Sequence, residues 1–204
     1  LLVFFHWNWL VLGRPVLDTD TPFFFPLHEE FRRWIARGQS PWWTDSIFCG
    51  YPIGPESNAI VLNPFLHFLL RWAGSRAEGF WFHAHSLIAA FSMLACCRRM
   101  GCSRPASVLA AWAFALGGIF TNWLHWPNLF AQAAWFPLQL LCVEALMREG
   151  NRLGWTAALA CASAAQWLAG PHATVLAPYF CLLYALLRLL LAGESGDRGH
   201  GWAA

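Results

Sequence analysis

The sequence predicts an all-α membrane protein, a polytopic bundle of transmembrane helices with one long polar loop outside the bilayer. Three observations predict it. The chain is 58% hydrophobic and only 12% charged, which is typical of membrane proteins. Apolar runs of helical length recur after residue 80. The stretch 18–64 holds most of the acidic residues and a cluster of prolines. Since no basic stripe is interleaved with stacking aromatics, we expect no nucleic-acid partner.

The chain begins inside an apolar run, LLVFFHWNWLVL, at 1–12. Twelve helical residues reach only ~18 Å, which is less than the ~30 Å of a hydrocarbon core. There is no charged region or small-residue cleavage site of a signal peptide. We therefore interpret 1–12 as a truncated first span, and the whole of 1–204 as one N-terminal transmembrane module of a longer protein.

The next segment, 13–79, is predicted to be an outer loop that contains a surface helix at 27–37. Its apolar residues share one face, and its charged residues fill the other, with Glu29 placed to pair with Arg33. Gly38 would end this helix. The pattern favours a helix lying on the membrane surface, and the alternative is an amphipathic helix of a soluble subdomain. The apolar residues are Leu27, Phe31, Trp34 and Ile35.

A short apolar helix at 59–73 follows, too short to span and interrupted by Asn63-Pro64. Five clearer spans are predicted at about 80–97, 105–122, 129–147, 154–169 and 173–192, before a cytoplasmic tail at 193–204. The loops between these spans alternate between arginine-rich and arginine-free. By the positive-inside rule the arginine-rich set is cytoplasmic, and the loop 13–79 is then extracytoplasmic. If 59–73 spans the membrane instead, that loop is inside.

Neither the cysteines nor the histidines show metal-ligand spacing. The seven cysteines lie mostly in apolar helices, where we interpret them as small core residues. His83 and His85 are two apart on a helix and point about 200° apart, so they cannot chelate one ion together. We expect no protein metal site from these residues, and leave open a divalent metal at the acidic DxD spelling of 18–20.

A series of spaced motifs runs along the outer loop and through the helices after it. They are Asp18 or Asp20, Pro26, Gly38, Pro41-Trp42-Trp43, Phe48, Gly50-Tyr51-Pro52, Asn58, Asn63-Pro64, the glycines at 117–118, HWPN at 125–128, AAWFPLQLL at 133–141 and LAGPH at 168–172. The spacing of these motifs resembles the YfhO family of bacterial multispanning membrane proteins, which are similar to glycosyltransferases of the C-type (GT-C) fold. The likeness covers nearly the whole chain. The sequence departs from the family pattern where Thr44-Asp45 follows the tryptophans, where Asn58 stands for a common Gln, and where GPH replaces Gly-His-Pro near His172.

The resemblance implies a GT-C-like membrane glycosyltransferase in the bacterial plasma membrane, with its active face extracytoplasmic. Such an enzyme transfers a sugar from a polyprenyl-phosphate-linked donor to an extracytoplasmic acceptor, which is a cell-envelope polymer, a lipid or a protein. A carboxylate would take the acceptor's proton, and Asp20 or Asp18 lies just past the first span. Arg14, Arg32, Arg33 and Arg37 are the candidates for the donor phosphate. Family positions that would contact substrate are Trp43, Tyr51, Asn58, His125 and His172.

Two other functions fit the sequence. A transporter or flippase subunit for a lipid-linked substrate would carry ionisable residues inside its spans, and Glu144 and Gln166 are nearly the only candidates. A non-catalytic scaffold would bind an envelope partner through the outer loop. Because intramembrane charge is sparse and the loop is polar, the sequence favours an enzyme or a binder.

Overall fold

A computed structural model describes residues 2–14, 21–38, 42–46, 48–54, 60, 62–124, 126–148, 152–170 and 175–195. Within these residues the fold is helical and contains no β-strand, which confirms the all-α prediction. The helices are α1 (Leu2–Phe5), α2 (Trp7–Leu10), α3 (Thr21–Arg37), α4 (Pro64–Ala73), α5 (Ala77–Arg99), α6 (Arg104–Ala115), α7 (Gly118–Asn122), α8 (Pro127–Arg148), α9 (Arg152–Leu168) and α10 (Leu176–Ser195), with a 3-10 turn at Gly74–Arg76 between α4 and α5.

Helix α8 is the centre of the bundle and packs against α5, α9 and α10, while α6 packs against α5. We call the end where α5 and α8 begin the loop end, and the end where they finish the opposite end. Aromatic rings fill the interior near the loop end. Phe130 contacts both Phe82 and Phe120 edge to face, and Trp81 donates a 3.1 Å hydrogen bond to the carbonyl of Pro127.

In the described part of the chain, three segments are long and apolar enough to cross a membrane, namely Ala77–Arg99, Arg104–Asn122 and Pro127–Arg148. They correspond to the first three of the five predicted spans. The fourth, α9, has 17 residues, and the apolar part of α10 is Leu176–Leu191, so both fall short of the length of the other three. The second span is also divided, because Gly117 adopts an extended conformation between α6 and α7.

A helix covers the predicted segment 27–37, but it begins earlier, at Thr21, and protein covers its apolar face, so its predicted position on the membrane surface is not confirmed. Leu27 and Phe31, which we expected to face the bilayer, are 1% and 0% exposed. Phe31 packs edge to face on His67 of α4, with ring centroids 4.8 Å apart. An amphipathic pattern requires an apolar surface opposite it, and here α4 supplies that surface. Gly38 ends the helix with φ +65°, as predicted.

The short helix α4 begins at Pro64, five residues later than predicted. The side chain of Asn63 accepts hydrogen bonds from the backbone N–H groups of Phe65 and Leu66, at 3.0 and 3.2 Å. It is therefore an N-cap, and Pro64 occupies the first helical position, where its missing N–H does no harm. Asn63-Pro64, which we expected to interrupt a helix, therefore marks the start of one.

The N-terminal run forms two short helices, α1 and α2, in place of one continuous span. They lie directly against α5 at Gly79, where an added Cβ would be 2.7 Å from the carbonyl oxygen of Trp9. His6, at the junction of α1 and α2, is buried with its Nδ1 3.2 Å from the Nδ1 of His83. The glycine is what permits the N-terminal segment to approach α5 so closely.

We predict that Gly79→Ala destabilises the fold by about 1 kcal/mol. Helix propensity alone favours Ala by about 1 kcal/mol, but the clash with Trp9 adds an overpacking cost of about 1–3 kcal/mol. The measurement is thermal unfolding in detergent.

Gly118→Ala is the matched control, because an added Cβ there meets nothing closer than 3.9 Å. This variant should unfold at the wild-type temperature or above. A Gly79→Ala protein that is as stable as the control would show that α2 does not pack on α5 in this way.

Candidate functional sites at the two ends of the bundle

Several predicted site residues lie outside the described part of the chain. They are Asp18, Asp20, Asn58, His125 and His172. Their predicted roles therefore stay predictions. The remaining candidates all belong to the loop end, where α3, α4 and the start of α5 meet.

Of the predicted phosphate-binding arginines, Arg32 and Arg33 surround Glu29 on α3. Arg32 makes a two-pronged bond to this carboxylate, with Nε 2.8 Å from Oε2 and the second prong from a terminal nitrogen to Oε1. Arg33 Nε lies 3.4 Å from Oε1, as the spacing predicted. The bond from Arg32 lowers the pKa of Glu29, so this carboxyl stays ionised and occupies Arg32. Arg33 is the more available of the two for a ligand.

The other two arginines are also exposed. Arg37 ends α3, where a cation is favourable beside the terminal carbonyls. Arg14 follows Gly13, whose Cα faces the side chain of Arg76 at the start of α5. The structure thus brings Arg14 near Arg76, a residue that the sequence did not single out.

Trp43 and Tyr51 belong to a small hairpin at residues 42–54. A single β-bridge joins Thr44 to Tyr51 through two backbone hydrogen bonds of 2.9 and 2.7 Å. Each tryptophan covers a glycine. An added Cβ at Gly50 would be 2.6 Å from the ring of Trp43, and one at Gly54 would overlap the ring of Trp42. These close approaches explain the spacing of WW and the two glycines in the sequence.

The hairpin is fixed to α3 by Glu30. Its Oε1 accepts hydrogen bonds from the hydroxyls of Thr44 and Ser46, the second at 2.9 Å. Ile53, at the other side of the hairpin, is fully buried in the core beside Phe31. The sequence predicted an irregular loop, because a bridge of one residue pair has no periodic signal.

A depression at the loop end is bordered by charged side chains from two helices, α3 and α5. His28 lies in its wall with Nδ1 2.7 Å from Oε1 of Glu78, the second residue of α5. Glu29 and Arg32 form the α3 side. The remaining lining residues are Leu70, Gly74 and Ala77. Sequence reasoning missed Glu78, whose only signal was an acidic residue in the first turn of a span.

The described histidines do not form a metal site. His83 points to His6, and His85 points to the carbonyl of Trp81 at 2.8 Å, so the two diverge as their spacing required. Among the described residues, no three His, Cys, Asp or Glu side chains lie close enough together to hold an ion.

A second charged cluster lies at the opposite end, around Glu144 of α8. This side chain is 0% exposed and is contacted by three partners. Tyr184 Oη donates to Oε2 at 2.6 Å, while Arg188 and Arg148 contact Oε1 at 2.8 and 2.5 Å. The sequence signal was Arg188, a lone arginine within the apolar run of α10. We had noted Glu144 only as a candidate for a transport path.

A polar network joins α8 and α9 between the two ends. Gln139 Nε2 donates to the Oε1 of Gln166 at 3.0 Å, and Gln166 Nε2 donates to the carbonyl of Gln132 at 2.8 Å. Side-chain hydrogen bonds of this kind hold helices together where apolar packing alone does not distinguish protein from lipid. The network is therefore a helix-association feature.

These features define a helical membrane protein with three candidate spans and a structured polar segment at one end. No protein-family model matches the sequence, and no curated protein or solved structure is detectably similar to it. The resemblance to the YfhO family and the GT-C fold therefore stays a prediction.

We predict that Glu144→Gln destabilises the bundle by about 3 kcal/mol. Removing one partner of a buried ion pair costs about 3–5 kcal/mol, and the low end applies because Arg148 and Arg188 are 44% and 37% exposed and can rehydrate. Unfolding in detergent measures the loss.

Tyr184→Phe is the control within the same cluster, since it removes one hydrogen bond to a charged group, worth about 1.5 kcal/mol. Equal stability of the Glu144→Gln protein and the wild type would contradict the ion-pair cluster.

Proposed function

We propose that this chain is part of a membrane-bound transferase that moves a sugar from a polyprenyl-phosphate donor to a hydroxyl acceptor at the loop end. The observation that carries the proposal is the depression where α3 meets α4 and the start of α5. Its charged lining of His28, Glu29, Arg32 and Glu78 lies at the end of a candidate span. The end of a span lies at the membrane surface, where a lipid-linked donor presents its phosphate and sugar.

The chemistry requires cations for the phosphate and a base for the acceptor. Arg33 and Arg37 are exposed on α3, and Arg14 is exposed at the end of the N-terminal segment. Arginine suits this role because its planar fork binds phosphate through two N–H groups. Asp20 or Asp18 is the base that the sequence predicts, just before α3 begins at Thr21. The sugar and its acceptor are proposed only as classes.

The proposed location is the plasma membrane of a bacterium, with the loop end extracytoplasmic and with α9 and α10 as further spans. Arginine also occurs at the loop end, so the charge bias of the later loops does not decide the orientation by itself. The arginines of the loop end are Arg14, Arg32, Arg33, Arg37, Arg71 and Arg76.

The main rival is a transporter or flippase subunit, and the surroundings of Glu144 argue against it. A transport path requires an ionisable group that can exchange partners with a substrate. Glu144 is instead fully buried and bonded by two arginines and a tyrosine. A scaffold that binds an envelope partner through its outer loop remains the other alternative, and the absence of sugar transfer would favour it.

Orientation is testable with cysteines that the chain already contains. Cys49, on the hairpin, and Cys102, after α5, are both exposed and free, and they lie at opposite ends of α5. On intact cells, an impermeant thiol reagent should label a protein whose single cysteine is Cys49 and spare one whose single cysteine is Cys102. The reverse labelling would place the loop end in the cytoplasm and contradict an extracytoplasmic active face.

The transfer reaction is testable without knowing the acceptor, because every transfer, hydrolysis included, releases polyprenyl phosphate. The full-length natural chain in detergent should release it from at least one of polyprenyl-phosphate glucose, galactose or mannose. The double variant Arg33→Gln, Arg37→Gln should raise KM at least ~10-fold, since a hydrogen bond to a charged group is worth about 1.5–3 kcal/mol.

Arg152→Gln is the matched control, because Arg152 is equally exposed but lies at the opposite end. It should leave KM unchanged. If the wild-type protein releases polyprenyl phosphate from none of the three donors, a transferase of this class is excluded for them and the scaffold function is favoured.

A further inference from the structure

His28 is held in an arrangement that its structural role does not explain. The ring is 4% exposed, and its Nδ1 contacts Oε1 of Glu78, which links α3 to the start of α5. A link of this kind uses one ring nitrogen. The other, Nε2, is buried and has no hydrogen-bond partner in the described part of the chain. Buried polar atoms are nearly always paired, so an unpaired ring nitrogen on a residue that lines a depression needs a reason.

The hydrogen bond to Glu78 defines what Nε2 can do. When the carboxylate accepts the Nδ1 proton of a neutral imidazole, Nε2 carries the lone pair and can accept a proton. The imidazolium that forms is then stabilised by the Glu78 carboxylate at 2.7 Å. In catalytic sites, a carboxylate that holds one ring nitrogen of a histidine orients the other as a general base in the same way.

The charges around the depression favour a base over an anion site. Arg32 is already bonded in two places to Glu29, so the two neutralise each other. Glu78 remains as a net negative charge beside His28. A phosphate would be repelled from this position, whereas a neutral hydroxyl would not.

We propose that His28 is the general base of the transfer and that Glu78 positions it, an assignment that rests on the proposed function. The hydroxyl of the acceptor gives its proton to Nε2 as its oxygen bonds to the anomeric carbon of the sugar. The bond from that carbon to the phosphate oxygen breaks, and its electron pair leaves with polyprenyl phosphate. His28 thus takes the role that the sequence gave to Asp18 or Asp20.

The test compares His28→Gln with the wild type in the assay of polyprenyl-phosphate release, using full-length protein and whichever of the three donors the wild type uses. Glutamine can keep a hydrogen bond to Glu78 but cannot accept a proton. We expect kcat to fall ~10²–10⁴-fold, the usual effect of losing a general base. KM for the donor and the thermal unfolding temperature should stay within about twofold and a few degrees of the wild-type values.

Two further variants separate the base from a structural role. His28→Ala should regain part of its rate when free imidazole is added, since imidazole supplies the missing proton acceptor. His67→Gln is the control, because His67 is a second histidine of the loop end that packs on Phe31 and does not line the depression. This variant should keep kcat.

Each result decides one question. If the wild type transfers sugar and His28→Gln is as fast, the assignment of His28 is overturned while the transferase stands. Loss of kcat together with folding or donor binding, without rescue by imidazole, also overturns it and leaves His28 as a structural link. If the wild type transfers no sugar, the proposed function fails, and the assignment fails with it.

Discussion

The structure depends on the burial of α8, a helix that has neighbours on most sides and carries polar groups that must be satisfied inside. The side chain of Gln139 and the backbone carbonyl of Gln132 find partners on α9, and Glu144 finds them on α10. Unpaired, each would carry a desolvation penalty of a few kcal/mol. These pairings therefore fix which helices adjoin α8 and at what height. Helices held by apolar packing alone can slide along one another, whereas hydrogen bonds between fixed positions prevent such sliding.

At the loop end, too, polar groups and apolar faces must find specific partners, although the side chains involved are different. Helix α3 has an apolar face that α4 covers and a polar face that meets the start of α5 through His28 and Glu78. The hairpin at 42–54 then attaches to α3 through Glu30 and through the buried side chain of Ile53. A segment that lacks a strand or a long helix of its own is ordered because each part has a specific partner.

The positions of the long helices could be predicted from the sequence, because a run of apolar residues requires a helix to satisfy its backbone in an apolar medium. The residues at which the helices begin and end were harder to predict. Asn63 and Pro64 interrupt an apolar run, and the sequence alone did not distinguish a cap from a break. Nor does an amphipathic pattern say whether lipid or protein covers the face. Phe31 fits both, and only the fold places α4 against it.

The candidate site was harder to predict than the fold, because its members are distant in the chain. His28 and Glu78 are 50 residues apart, and neither belongs to a spaced motif. The sequence shows which residues are arginines, but it does not show which of them are free to bind a ligand. Arg32 is already bonded to Glu29. The loop resemblance directed attention to Asp18 and Asp20, while the described contacts direct it to the start of α5.

The pairing of Glu144 with Arg188 also bears on how the protein is made. We proposed α10 as a further span, in which Arg188 lies three residues before the end of the apolar stretch Leu176–Leu191. An arginine that enters the bilayer alone raises the free energy of insertion, by about 3 kcal/mol at the middle of a helix and by less near its end. Glu144 precedes Arg188 by 44 residues, so ribosomal synthesis delivers α8 to the membrane first. As a span, α10 would then enter beside a carboxylate that is already there. Correct biogenesis of the last described helix would thus be coupled to the prior arrival of the bundle's central one.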